Sequence, residues 1–156
     1  MSTSSEKKNL TVAIGCDPNA TALKEIIMTQ LSSLGYDVTD FGSDDPVYAN
    51  VAFKVGEAVA AGKYDRGILL CGTGIGMSIA ANKVPGVFAA LCADTYSAER
   101  AIKSNNANVL TIGAFTTGVE VARQMVKIFM ESRWTPGTPS EPKVAAYVEY
   151  AKKHQV

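Results

Sequence analysis

The sequence predicts an α/β protein with a parallel sheet covered by helices on both faces. Three observations carry this. Short, nearly all-apolar runs recur along the chain, each is followed by a segment with helical spacing of its apolar residues, and Gly, Pro, Asn or Asp mark most of the joins. Strands that alternate with helices pair in parallel, and a parallel sheet is buried on both sides.

In chain order, Leu10–Cys16 reads as a buried strand that closes on the turn signal Asp17-Pro18-Asn19. Residues 21–34 carry apolar side chains at 23, 26, 27, 31 and 34, the spacing of an amphipathic helix, with Gly35 as its stop. Tyr36–Phe41 alternates as a second strand, a polar turn covers Gly42–Pro46, and a helix runs from about Tyr48 to Ala61. The third strand, Gly67–Leu70, ends in Cys71. It passes through Gly72, Gly74 and Gly76 into a helix read from Met77. Gly86–Cys92 is the fourth strand, and Asp94 or Thr95 caps the helix that follows. Asn105-Asn106-Ala107-Asn108 breaks that helix before a fifth strand, Val109–Gly113. A long helix over 118–133, a Pro-rich surface arm over 134–142 and a last helix from Lys143 to about Lys153 complete the five-stranded pattern.

The 156 residues predict one domain over 10–156, with 134–156 as a C-terminal arm and residues 1–9 as a disordered polar leader. Fifteen basic residues balance fifteen acidic ones, which argues against nucleic acid or a membrane surface as partner, since both require a basic face. Cys16, Cys71 and Cys92 show no metal-ligand spacing and lie in or at the end of apolar runs, so reduced thiols in a soluble, cytoplasmic protein are expected. No apolar window is long enough for a transmembrane helix, and the leader has no apolar core of a signal peptide.

The chemistry concentrates at 65–83. Glycines let a backbone turn tightly and approach a ligand, and the helix behind the turn aims unpaired N–H groups at the same point. An anion, or an oxygen gaining negative charge, suits that place. Lys-Ser/Thr does not follow the last glycine, so this is no Walker loop, and the glycine spacing is wrong for a dinucleotide fingerprint. The plainer alternative is a tight turn in which glycine only permits close packing. Cys71, at the mouth of the loop, is either a stabilised thiolate or an inert half-buried thiol, whereas Cys16 and Cys92 read as core. Asp17 reads first as a cap, Tyr48 and Asn50 as first-turn residues, and Asn105, Asn106 and Asn108 as a helix stop. His154 lies in a polar tail. Asp17, the 71–77 loop and Asn105–Asn108 are expected to meet in one crevice beyond the strand ends.

The block Cys71-Gly-Thr-Gly-Ile-Gly76, with Ile14-Gly-Cys-Asp17 before it and Asp94-Thr-Tyr-Ser-Ala and Asn105-Asn-Ala-Asn-Val-Leu after it, closely resembles the ribose-5-phosphate isomerase B and galactose-6-phosphate isomerase (RpiB/LacAB) family. The resemblance spans roughly residues 10–150. It implies a Rossmann-like three-layer α/β/α sandwich, no metal or nucleotide cofactor, and a homodimer or dimer of dimers with shared active sites. It also implies aldose–ketose interconversion of a sugar phosphate through a cis-enediolate. On that reading Cys71 is the proton-transferring base, Thr73 assists at the sugar oxygens, and the N–H groups of Gly72, Gly74, Ile75 and Gly76 hold the enediolate oxygen. Asp17, Tyr48 and Asn105 match sugar-binding positions.

The chain departs from the family pattern in four places. Asp17-Pro18 stands for Asp-His, Ser104 stands at the family's ring-opening histidine, Gly113-Ala-Phe115 stands for Gly-x-Arg, and Thr138–Lys143 replaces an Arg/His-rich phosphate-binding arm. One explanation is a tetrose 4-phosphate substrate. Its esterified O4 cannot close a furanose, so no ring-opening acid is needed; Lys143, Lys83 or Arg100 would then serve the phosphate. The alternatives are a paralogue without phosphate binding, acting as a non-catalytic subunit or on a non-phosphorylated sugar, and a heteromeric subunit whose partner carries the missing groups.

Overall fold

The computed structural model describes residues 9–156, and the leader expected over 1–9 lies outside them apart from Asn9. The elements are β1 (Thr11–Cys16), a single 3-10 turn (Pro18–Ala20), α1 (Thr21–Ser33), β2 (Asp37–Asp40), α2 (Tyr48–Ala60), β3 (Arg66–Cys71), α3 (Ile75–Ala81), β4 (Ala89–Leu91), α4 (Thr95–Lys103), β5 (Val109–Gly113), α5 (Val119–Glu131) and α6 (Glu141–His154). The strands form one parallel sheet in the order β2-β1-β3-β5-β4.

Burial explains which runs look apolar. In the central β3 and β5 every residue is buried, and in β1 all but the first, so these strands read as unbroken apolar runs. Val12, Ile14, Ile68, Leu70, Leu110 and Ile112 face one layer, with Ile27, Leu31, Ile102, Met125 and Phe129 from α1, α4 and α5. Their neighbours Ala13, Leu69, Cys71 and Val109 face the other, against Val51, Val55 and Met77 from α2 and α3. The alternation of strand residues between layers is the period of two that β geometry imposes.

Several boundaries differ from expectation, three of them for a reason visible in the backbone. The fourth strand is Ala89–Leu91 rather than 86–92. Gly86 is left-handed (φ +87°), and Asn108 takes the ladder's place beside it by accepting the Phe88 N–H (2.8 Å) and donating to the Gly86 carbonyl (2.9 Å). The helix read from Met77 begins at Ile75, because Gly74 adopts the left-handed conformation (φ +77°) immediately before it. The last helix begins at Glu141 with Pro142 in its first turn, where a missing N–H costs nothing. Asp94, not Thr95, caps α4, accepting the Ser97 N–H at 2.7 Å.

Candidate active site

Cys71 ends β3 in the middle of the sheet, where the strand order reverses between β1 and β3, the place at which open parallel sheets hold ligands. The thiol is 5% exposed. The Gly74 N–H donates to Sγ at 3.0 Å, and the Ile75 N–H reaches Thr73 Oγ1 at 3.3 Å. Two of the four N–H groups expected to face a ligand are therefore directed at side chains of the loop itself. Thr111, a hydroxyl inside an otherwise apolar strand, donates to the Gly74 carbonyl (3.0 Å) and ties the loop to β5.

Each alternate glycine has a side chain lying on it. A Cβ on Gly72 would stand 2.9 Å from the Phe115 ring, and one on Gly74 would stand 2.6 Å from Leu91 Cδ1 and 2.9 Å from the Ile112 carbonyl carbon. On Gly76 it would run into the Tyr48 ring. Only Gly74 has a positive φ; Gly72 and Gly76 are required by close approach. The turn packed too tightly for side chains is therefore what the glycines build here.

Asp17 and Tyr48 join the loop. The Asp17 N–H bonds the Leu70 carbonyl (3.0 Å), which brings the backbone of this buried residue to the end of β3 next to Cys71, and its Oδ1 caps the 3-10 turn through the Asn19 N–H (2.9 Å). The loop before Tyr48 is pinned by Lys24, whose ammonium, 2% exposed, bonds both oxygens of Asp40 at 2.9 Å. Asp40 also takes the Gly42 N–H (2.8 Å), and the Gly42 carbonyl takes the Cys16 N–H (3.1 Å). The sequence reading missed Lys24, Thr111 and Leu91. Lys24 had a signal, since it shares the buried helix face of Ala20, Ile27 and Leu31, and so did the polar residue inside Val-Leu-Thr-Ile-Gly. Cys16 and Cys92 are core, as expected. Burial pushes each thiol up to about 11, against a modest opposing pull from Lys24 on Cys16.

Ser104, Asn105 and Lys143 are elsewhere. Ser104 closes the C-terminus of α4 and Asn105 follows it, both at the start of β5, whereas Cys71 is level with Gly113 at its end. The strand between them spans roughly 13 Å at β rise, so the single crevice expected for Asp17, the loop and Asn105–Asn108 does not form within one chain. The Tyr147 hydroxyl of α6 donates to the Asn105 carbonyl, and Lys143 sits one turn earlier on the same helix. Arg100 has one guanidinium nitrogen on Glu99 (2.6 Å) and another 3.4 Å from Ser104 Oγ. A cleft of about 390 Å³ bordered by Asn82, Phe88, Asn105 and Tyr147 opens beside them. The candidate residues therefore fall into two candidate half-sites at opposite ends of the strands: Asp17, Tyr48, Cys71 and the glycine loop where β3 ends, and Arg100, Ser104, Asn105 and Lys143 on the side where β5 begins.

Among the described residues no cluster of His, Cys, Asp and Glu is arranged to hold a metal, and no helix is long and apolar enough to cross a membrane. Residues 12–147 match the ribose/galactose isomerase family. The chain is 47% identical over 152 residues to a D-erythrulose-4-phosphate isomerase of Pectobacterium atrosepticum, covering 94% of this chain and 99% of that one. It is 42% identical over 147 residues to a ribose-5-phosphate isomerase B of Listeria innocua, covering 92% and 99%. The structure of ribose-5-phosphate isomerase B from Clostridium thermocellum superimposes with a TM-score of 0.87 at 38% identity, over 93% of this chain and 99% of that one. With its glycine loop, its parallel sheet and these relatives in agreement, the chain belongs to the ribose/galactose isomerase family, as a sugar-phosphate isomerase of the ribose-5-phosphate isomerase B type that interconverts aldose and ketose.

Proposed function

We propose that Cys71 is the base of this isomerisation and that the substrate is a small sugar phosphate of four or five carbons, with a tetrose 4-phosphate favoured. The observation that carries the first part is the Gly74 N–H aimed at Sγ from 3.0 Å, since such a donor binds a thiolate more strongly than a thiol. The thiolate takes the proton from C2 of the aldose. The C–H electrons form the C1–C2 double bond, and the aldehyde oxygen becomes an oxyanion beside the loop and the first-turn N–H groups of α3. A proton passes between O2 and O1 with Thr73, which is exposed at the loop, as the assisting hydroxyl, and Cys71 returns its proton to C1. Asp17 accepts from sugar hydroxyls, and Tyr48 closes the loop over Gly76. The tetrose preference is supported by Ser104, which offers no ring-opening acid, and by the D-erythrulose-4-phosphate isomerase among the relatives.

The two half-sites support a homodimer in which one copy supplies Cys71 and a second supplies Ser104, Asn105 and Lys143. The purified chain is to be assayed with erythrose 4-phosphate and ribose 5-phosphate beside Cys71→Ala. Loss of the base is expected to lower kcat about 10²–10⁴-fold. Turnover that survives the substitution removes Cys71 as the base, and absence of turnover on any sugar phosphate by the intact chain removes the substrate reading.

A further inference from the structure

Of the three side chains that lie on the glycine loop, Phe115 is the most open, at 72% exposure. It is not a loosely held surface residue. The Ala114 N–H bonds the Cys71 carbonyl (2.8 Å) and the Phe115 N–H bonds the Gly72 carbonyl (2.9 Å), so the backbone carrying the ring is tied to the proposed base and to the first residue of the loop after it. Large apolar residues exposed at the rim of a polar site mark a contact with something other than water.

The sheet order gives the substrate a direction. Asp17 flanks Cys71 on the β1 side and Phe115 flanks it on the β5 side. A chain whose C1 and C2 lie over Sγ extends toward one or the other. Its phosphate dianion is repelled by the Asp17 carboxylate, which instead suits hydroxyl donors, so the phosphate-bearing end runs toward Phe115. A phenyl ring offers no hydrogen bond, and a phosphate pressed against it would lose hydration without compensation. The charged end must therefore stop short of the ring.

We propose that Phe115 is a specificity-determining residue, the wall that admits four-carbon sugar phosphates and discriminates against five-carbon ones. The inference rests on the isomerase reading above and extends it to substrate length. The ring sets the distance available between the proposed base and the phosphate, and one additional carbon exceeds it.

The test is steady-state kinetics of the intact chain, Phe115→Ala and Phe115→Leu, each with erythrose 4-phosphate and ribose 5-phosphate. The four-to-five-carbon ratio of kcat/KM is expected to favour the tetrose in the intact chain. It should fall about tenfold or more in Phe115→Ala, the scale on which pockets discriminate by one carbon, and by less in Phe115→Leu. If the alanine variant does not fold, the direction of change in the leucine variant decides. An intact chain that turns over both substrates with an unchanged or increased ratio in the folded variants overturns the wall while leaving the isomerase reading in place. An intact chain inactive on both substrates removes the isomerase reading and this inference with it.

Discussion

Gly74 and Gly72 sit two residues apart in the same loop, and their replacement by alanine should have unlike consequences. At Gly74 the backbone is left-handed (φ +77°), a conformation that costs an L-residue roughly 1–2 kcal/mol. The added Cβ would also meet the Ile112 carbonyl carbon at 2.9 Å and the Gly113 N at 3.0 Å. Those backbone atoms belong to β5 and cannot retreat without disturbing its pairing with β3. Overpacking of this kind costs about 1–3 kcal/mol, so Gly74→Ala should lose about 3 kcal/mol, or roughly 6–12 °C in melting temperature for a chain of this size. At Gly72 the φ is not left-handed and the obstacle is the side chain of Phe115, whose exposed ring has to give by only about 0.5 Å to reach ordinary contact. Restricting the unfolded chain returns about 0.4–1 kcal/mol, so Gly72→Ala should change stability by less than about 1 kcal/mol. Urea unfolding of the two variants beside the parent, under one set of conditions, measures the difference directly. Equal losses, or the greater loss at Gly72, would refute the account of why the loop carries glycine.

Three further outcomes are expected. Burial pushes the Asp40 carboxyl up, but its bonds from Lys24 and Gly42 outweigh this and hold it below its ordinary 3.8; the stability it contributes is present above that value and lost as pH falls through the lower, folded-state value. A pH series of urea midpoints should thus decline in acid below about pH 4, and Lys24→Met should flatten that limb; an unchanged limb would remove the pair from the acid response. Because burial raises Cys16 and Cys92 to about 11, iodoacetamide at pH 8 should leave both unmodified in the native chain, and any inactivation should track carboxamidomethylation of Cys71 by peptide mass spectrometry. Mixing Cys71→Ala with Asn105→Ala subunits after partial unfolding should restore up to about a quarter of the parent activity if two copies complete each site, and nothing if each chain works alone.

Much of the fold was legible because parallel-sheet strands and amphipathic helices write their burial into the sequence. Leu69 and Leu70 are apolar side by side because both faces of β3 are covered, and Leu23, Ile27 and Leu31 recur at helical spacing because α1 buries one stripe. Boundaries were less legible where a side chain does the work of the backbone. Asn108 takes over the ladder bonds ahead of β4, and no local pattern announces a pairing 20 residues distant. The same holds for Lys24: its place on a buried helix face was visible, but its partner Asp40 is brought to it by the β1–β2 pairing.

The candidate site divides along the same line. The strand–turn–helix itself followed from residues adjacent in sequence: a cysteine at a strand end, alternate glycines and a helix behind them specify the tight loop on which the proposed chemistry rests, because turn geometry is a local property. Which residues can act together did not follow from adjacency. Asn105 and Cys71 share the β3–β5 half of the sheet but stand at opposite ends of it, since α4 carries the chain back before β5 begins. The Phe115 ring over Gly72 and the Tyr48 ring over Gly76 join residues 43 and 28 positions apart. Contacts at such separations depend on strand order, and strand order is a property of the whole sheet.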